Sequence, residues 1–409
     1  MDGGGASDAT EAGERPTAVA VFLAFLQLGL TSFGGPVAHL GYFRTAFVER
    51  RRWIGEQAYA DLVALCQFLP GPASSQVGIG IGLAKAGLPG AFAAWTAFTL
   101  PSALLLVVFG YGVVTFQDVL PAGVLHGLKV VAVAVVAQAV WGMARTLCPD
   151  APRATLAVLA AAAVLALPSA ATQVAVIAAG GLAGLLALRA ETAAPPGAFA
   201  VPLGKGPAVA ALLVFFALLV ALPLWAAASP SQTLALVDSF YRSGSLVFGG
   251  GHVVLPLLQS EVVPPGWVGD DAFLAGYGAA QAVPGPLFTF AAYLGTVMGP
   301  APNGWLGALV CLLAIFAPSF LLVIGALPFW GGLRQQPLVR RALTGVNAAV
   351  VGLLLAALYD PVWTSAILAP RDFILALGAF TLLVFWKLPP WLVVMLTAGG
   401  GGVMDLTLG

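Results

Sequence analysis

The chain has 409 residues, of which 60% are hydrophobic and only 8% charged, and it carries no net charge. A soluble domain of this length has roughly a quarter charged residues, so there is too little polar surface to cover a water-soluble particle, and the balanced charge gives no case for nucleic acid as a partner. The charges gather in a few clusters between long uncharged runs, several of them reaching the about 20 residues that span a bilayer.

The first 16 residues (MDGGGASDATEAGERP) are polar and acidic. They lack the basic start and cleavage site of a signal peptide and read as a disordered tail. Apolar segments then fall near 17–34, 58–83, 88–116, 119–144, 153–168, 170–188, 207–228, 236–258, 271–298, 304–330, 338–359 and 372–408. The last is long enough for two short spans hinged at Leu388-Pro389-Pro390. Strand alternation is absent, and in lipid the backbone must satisfy its own polar groups within each segment. The expected fold is therefore an all-α polytopic membrane protein of about 10–13 membrane segments. Its parts are a first transmembrane repeat at 17–188, a linker at 189–206 marked by Pro195-Pro196, a second repeat at 207–360 and C-terminal hydrophobic helices at 361–409.

The two halves repeat. Phe33-Gly34-Gly35 matches Phe248-Gly249-Gly250 at an offset of 215, and Trp53 and Pro70-Gly71-Pro72 match Trp267 and Pro284-Gly285-Pro286 at 214. Pro101-Ser102 matches Pro318-Ser319 at 217, and the stretch around Gly127 and Lys129 matches that around Gly345 and Asn347 at 218. Five landmarks in one order are hard to obtain by chance. The loop after the first glycine motif carries Arg44, Arg50, Arg51 and Arg52, whereas its counterpart carries Glu261, Asp270 and Asp271. The loop after Pro318 carries Arg334, Arg340 and Arg341, and its counterpart has only Asp118 and His126. Basic loops mark the cytoplasmic side, so opposite charge at matching positions predicts an inverted-topology repeat. Segments 271–298 and 304–330 then separate an outside loop from an inside one, which two full crossings cannot do. The Pro-Gly-Pro segment is accordingly expected to be re-entrant.

Each half carries two helix breaks: Gly34-Gly35-Pro36 and Pro70-Gly71-Pro72, then Gly249-Gly250-Gly251 and Pro284-Gly285-Pro286. Proline removes a backbone donor and glycine lets the chain unwind. Broken helices are tolerated at membrane depth where protein or a polar cavity covers the freed backbone. The half-helices so formed present N–H groups and a positive dipole end, which suits an anion. Neutral polar side chains stand nearby, namely Ser32, Gln67, Ser74, Ser75, Gln76, Gln281 and Thr289, with His39 and His252 close to the glycine motifs. Any one break alone reads more readily as close helix packing; four in matched places favour a shared substrate site. Lys129 is an intramembrane cation, either a site residue or a snorkelling lysine. Asp61 and Asp238 are expected near helix starts, where carboxylates cap. Arg50, Arg51 and Arg52 read as a topology signal that can also draw anions to a cytoplasmic mouth. No catalytic set or metal spacing stands out, so neither an enzyme activity nor a cofactor is expected. The three cysteines read as small buried hydrophobes.

The stretches FLQLGLTSFGGPVAHL (25–40), VERRRWI (48–54), FLPGPASSQ (68–76), GSLVFGGGHVVLP (244–256) and QAVPGPLFTFAAYLG (281–295) together resemble the chromate ion transporter (CHR) family in its long two-domain form. The resemblance spans about residues 17–360 and implies a multi-pass protein of the bacterial inner membrane that exports chromate, with sulfate as competing or exchanged oxyanion. It also implies antiparallel halves. By motif match it adds Arg51, Arg52 and Trp53 to the residues of interest. Phe290 stands where the first half has Gln76, so the second Pro-Gly-Pro break is the less polar one. The expected partners are the oxyanion and the bilayer, with a homodimer left open; a sulfate transporter with no role in chromate resistance is the alternative.

Overall fold

The structure is a computed structural model that describes residues 16–115, 122–189, 199, 201, 203–249, 251–333 and 335–408. Most of the expected tail and linker, with Asp118, Gly250 and Arg334, lies outside the described residues. Every described element is helical, and six helices are long and apolar enough to cross a membrane.

The chain opens with α1 (Ala18–Thr31), capped by the Thr17 hydroxyl, and α2 (Gly35–Arg44), which runs on through a wide turn, Thr45–Arg50. Between them Gly34 and Gly35 take φ of 103° and 79°, conformations that only glycine adopts without strain. The chain therefore reverses: Phe25 of α1 stacks on Phe47 beyond α2 at 4.7 Å and meets Phe43 edge-on at 5.4 Å. A second hairpin follows. α3 (Glu56–Phe68) ends at Pro70-Gly71-Pro72, and α4 (Ala73–Thr115) starts back alongside it, so that Gly80 packs directly on Leu62. α4 is itself two helices. Ala86 and Gly87 leave helical geometry, and the backbones of Gly82 and Gly90 touch, which is possible only if the chain turns back between them. α5 (Ala122–Leu147), α6 (Ala151–Ala166) and α7 (Ala170–Ala187) complete the first half.

Among the described residues α8 (Lys205–Ala228) has no counterpart in the first half. The pattern then repeats. α9 (Gln232–Leu246) and α10 (Val254–Val262) form a hairpin joined by Arg242 and Glu261 at 3.0 Å. α11 (Asp270–Ala280) and α12 (Phe290–Val297) form another, with Gly276 against the Tyr293 ring and the Tyr293 hydroxyl donating to the Ala272 carbonyl at 2.8 Å. Gly295 and Gly307 touch across the next turn, as Gly82 and Gly90 do. α13 (Gly304–Ala326) continues through a tight turn into the short α14 (Trp330–Leu333). α15 (Pro337–Ala357), the single turn α16 (Thr364–Ala366), α17 (Pro370–Val384) and α18 (Pro390–Leu408) close the chain, the last two hinged at Leu388-Pro389-Pro390 as expected.

The halves interlock through equivalent contacts. In the first, Gly29 of α1 lies on the Ala97–Phe98 backbone of α4; in the second, Gly244 of α9 lies on Ile315 of α13. Gly127 of α5 packs on Thr397 of α18, and Gly345 of α15 packs on Gly180 and Gly184 of α7, so each half grips the end of the other. Small residues at these crossings let the backbones approach closely, as membrane helices do.

Candidate functional site

The four breaks converge. The Gly71 N–H donates to the Val247 carbonyl at 2.7 Å, and the Gly285 N–H donates to the Ser32 carbonyl at 2.9 Å. Gly71 and Gly285 are repeat partners, and so are Ser32 and Val247. Each Pro-Gly-Pro tip is thus bonded to the glycine tip of the other half, the reciprocal contact a two-fold relation produces. The surroundings repeat as well: a side chain on Gly71 would meet the Ser319 hydroxyl at 2.9 Å, and one on Gly285 would meet the Ser102 hydroxyl at 2.8 Å. Both glycines have positive φ, 122° and 98°. Pro36 of the first glycine tip rests 3.3 Å from where a Gly251 side chain would begin.

Between the tips lies a cavity of about 700 Å³. Its walls include Gly34, Pro36, Gln67, Gly71 and Ala73 from the first half, Gly249, Gly251, His252 and Asn347 from the second, and a face of α5 with Gln138 and Thr146. A smaller cavity of about 90 Å³ shares Gly34, Pro36, Gln138 and His252 and adds Gly35, Gln281, Gly285 and Leu287. Among the described residues the two have no Lys, Arg, Asp or Glu in their lining. Four helical starts lie on these walls: Gly35 of α2, Ala73 of α4, Gly251 of the turn leading into α10, and Leu287 of the turn leading into α12. Unpaired N–H groups of first turns carry partial positive charge, so the walls favour an anion without holding a fixed cation.

The remaining predicted residues stand behind the walls. His39 is fully buried; its Nε2 lies 3.1 Å from the Ser32 carbonyl and its Nδ1 3.3 Å from the Ser74 hydroxyl, which ties the two first-half tips together. Gln76 donates to the Pro70 carbonyl at 2.6 Å, and Thr289 to the Pro286 carbonyl at 2.7 Å, so both brace a Pro-Gly-Pro turn. Pro72 and Pro284 belong to the same two turns. The Ser32 and Ser75 hydroxyls, Gln76 Oε1 and Gln281 Nε2 are buried with no protein partner, and Gln281 is on the cavity wall. His252 Nδ1 sits 2.8 Å from the Tyr277 hydroxyl, which fixes its ring at the junction of both cavities.

Two expectations need correction. Lys129 is not with the breaks: it pairs with Asp271 at 2.8 Å in a separate cavity that also holds His126, Arg371, Asp372 and Asp405. It lies near the start of α5, whereas Gln138, two and a half turns on, reaches the central cavity. Asp61 and Asp238 do not cap. α3 starts at Glu56 and α9 at Gln232 under a Ser231 cap, so both carboxylates are mid-helix and buried. Asp61 accepts from Trp330 Nε1 at 3.1 Å, and Asp238 pairs with Arg242 at 2.8 Å. Arg50 and Arg51 line a third cavity between α1 and α2, apart from the central one. Sequence reading missed Gln138, although an amide inside the run from Val130 to Val140 is itself a signal. Among the described residues no group of three His, Cys, Asp or Glu could hold a metal ion.

The chromate transporter family profile matches residues 19–185 and 234–403, one segment in each half. The chain belongs to this family. It is similar to the chromate transport protein of Pseudomonas aeruginosa, 28% identical over 405 residues and covering 93% of this chain and 90% of that protein. The chromate transport protein of Cupriavidus metallidurans is 28% identical over 400 residues, 95% of this chain and 94% of that one. The uncharacterized transporter MJ0718 of Methanocaldococcus jannaschii is 27% identical over 354 residues, 85% of each. No solved structure matches the chain. As a family member it is a multi-pass membrane transporter built from two family-type halves.

Proposed function

We propose that the protein exports chromate across the bacterial inner membrane through the cavity between the four tips, with sulfate competing or exchanged. The observation that carries this reading is the convergence of four helical starts and two reciprocally bonded Pro-Gly-Pro turns on one uncharged cavity. A tetrahedral dianion is held there by N–H groups, Gln67, Gln138, Gln281, Asn347 and His252, without a permanent cation that would bind it too tightly to release. Moving one charge through 100 mV is worth about 2.3 kcal/mol, so exporting a dianion from a negative interior gains about 4.6 kcal/mol at that potential. No buried acid is needed for outward flux.

The repeat is read as inverted. Each hairpin enters and leaves on one side, so only the second leg of α4 and helices α5, α6 and α7 cross in the first half, an even number that returns the chain to its starting side. The unmatched α8 then carries it over, and the second half begins from the opposite face. Loop charge is biased the same way: Arg50–Arg52, Arg145, Arg153, Arg189, Arg340 and Lys387 fall on one side, whereas on the other Glu261, Asp270, Asp271, Asp360 and Asp405 outnumber Lys129 and Arg371. The halves then rock about the fixed tips to give alternating access.

Everted vesicles supplied externally with labelled chromate or sulfate test the reading. Chromate uptake is expected in wild type and absent in Gly71→Val and Gly285→Val at equal membrane abundance. Normal uptake by both variants removes the site. Sulfate uptake with no chromate uptake selects the alternative, an oxyanion transporter without a chromate role.

A further inference from the structure

The first hairpins of the two halves differ between their legs. In the second half the space between α9 and α10 is filled by Arg242 held between Asp238 at 2.8 Å and Glu261 at 3.0 Å. At the repeat offset these three positions are Leu23, Gln27 and Ala46. There the legs of α1 and α2 leave a cavity of about 410 Å³, lined by Gln27, Thr31, Tyr42, Thr45, Arg50 and Arg51 beside Ala24, Leu28 and Ala46. Among the described residues neither Arg50 nor Arg51 has a carboxylate in reach; Arg51 lies 5.5 Å over the Trp53 ring, and the neighbouring acids Glu49 and Glu56 are both taken by Arg44. On the same helix Val19, Leu23 and Leu30 are exposed, so the cavity opens beside an apolar, bilayer-facing strip.

We propose that this cavity binds the phosphate of an anionic phospholipid headgroup. The second half carries its counter-anions as Asp238 and Glu261; the first half offers two guanidinium groups, an amide and three hydroxyls around an open space and lacks both carboxylates. Guanidinium forks suit phosphate oxygens, and the Tyr42 and Thr45 hydroxyls and the Gln27 amide supply further donors. The position at the Arg-rich face puts the site at the cytoplasmic leaflet, where anionic lipid is drawn to basic segments. The site is separate from the central cavity and does not depend on which oxyanion is transported.

The purified full chain is titrated with phosphatidylglycerol, phosphatidylcholine or inorganic phosphate while its thermal unfolding is followed. Phosphatidylglycerol is expected to raise Tm in a saturable way and phosphatidylcholine not. Ala46→Glu installs the carboxylate that the second half has at this place, keeps both arginines, and is expected to weaken the phosphatidylglycerol effect about tenfold or more. Should Ala46→Glu not fold, the Arg50→Gln/Arg51→Gln pair is expected to lose the effect and Arg50→Lys/Arg51→Lys to keep most of it. If inorganic phosphate alone reproduces the shift and competes with the lipid, the cavity takes free phosphate and the lipid assignment falls. An equal shift in wild type, Ala46→Glu and the paired glutamine variant overturns the site.

Discussion

At their tips the two halves make the same backbone cross-bond, while between the legs of their hairpins they share almost nothing. Gly71 and Gly285 have the same handedness, the same cross-bond to the opposite half and the same serine neighbour. A few turns away, Gln27 and Ala46 face a void where their counterparts Arg242 and Glu261 join Asp238 in an ion network, and Leu23, the counterpart of Asp238, is exposed. The contrast separates what the backbone does from what side chains do. The tips work through N–H groups and φ angles that only glycine reaches easily, so there is little room for variation. The legs need only be filled, and a salt bridge or a bound anion can fill them.

The sharpest way to break the likeness at the tips is to treat its two members unequally. Gly71→Val and Gly285→Val each force a β-branched residue into a left-handed conformation, worth about 1–3 kcal/mol of strain. Each also drives Cβ to 2.7 Å from Gln76 Nε2 or 2.8 Å from the Ser102 hydroxyl. Each alone is expected to abolish transport, because one cross-bond cannot form without displacing the tip that the other needs. Gly35→Ala is the internal control. Its φ is 79°, but nothing lies within 4 Å of the added methyl, so it carries the strain of about 1–2 kcal/mol without the collision. It is expected to retain measurable transport. Full activity in Gly285→Val with none in Gly71→Val would mean that only the first half forms the site.

Between the legs the expected effect is on stability. Arg242→Met leaves Asp238 and Glu261 buried without their shared cation, and breaking a buried pair this way costs about 3–5 kcal/mol. Gln27→Met, its repeat partner, adds apolar volume to an open cavity and is expected to change stability by less than about 1 kcal/mol. Thermal unfolding in detergent measures both. If Arg242→Met proves neutral, the ion network is a passenger and the contrast between the legs loses its energetic meaning. The triple change that also makes Asp238→Asn and Glu261→Gln is expected to recover much of the loss, since no uncompensated charge is left.

The landmarks of the tips were legible because glycine and proline announce backbone geometry directly. Phe33-Gly34-Gly35 and Pro70-Gly71-Pro72 told of breaks, and the recurrence of both told of a repeat. Loop charge points to a re-entrant Pro-Gly-Pro segment, but nothing in the landmarks tells that all four broken segments fold back on themselves. That depends on Phe25 finding Phe47, and on Gly80 finding Leu62, contacts across a turn that no local periodicity encodes. Asp238 was misread for a related reason. It opens the polar stretch of α9, but the helix has already run two turns from Ser231, and apolar composition alone does not reveal such a start. Lys129 and Gln138 lie in one run, and without the rotation of α5 relative to its neighbours the charge drew attention that the amide deserved.

That rotation makes a third pair of outcomes. Gln138→Leu removes a polar group from the wall of the central cavity, and losing a hydrogen bond to a charged guest is worth about 1.5–3 kcal/mol, so about a tenfold to hundredfold fall in transport efficiency is expected. Vesicle uptake over a range of chromate concentrations checks it. An unchanged efficiency would take α5 out of the substrate path.

The smallest effect belongs to Lys129→Met. Its side chain is 12% exposed but its partner Asp271 is 83% exposed, so water screens the pair from one side, and an ion pair so placed is worth about 0–1 kcal/mol. Of the other carboxylates in its cavity, Asp372 is held by His126 and two backbone N–H groups and Asp405 by the Gly123 N–H, so removal of the ammonium leaves no carboxylate without a partner or water. Transport is expected to stay within about twofold of wild type. The opposite change, Asp271→Asn, is expected to be as mild, because the long lysine stem lets the charge reach water. A large loss from Lys129→Met with none from Asp271→Asn would mean that the lysine meets the oxyanion itself on its way out. The cavity at the start of α5 would then be the outer vestibule of the path, and the uncharged tips would not be the whole of the site.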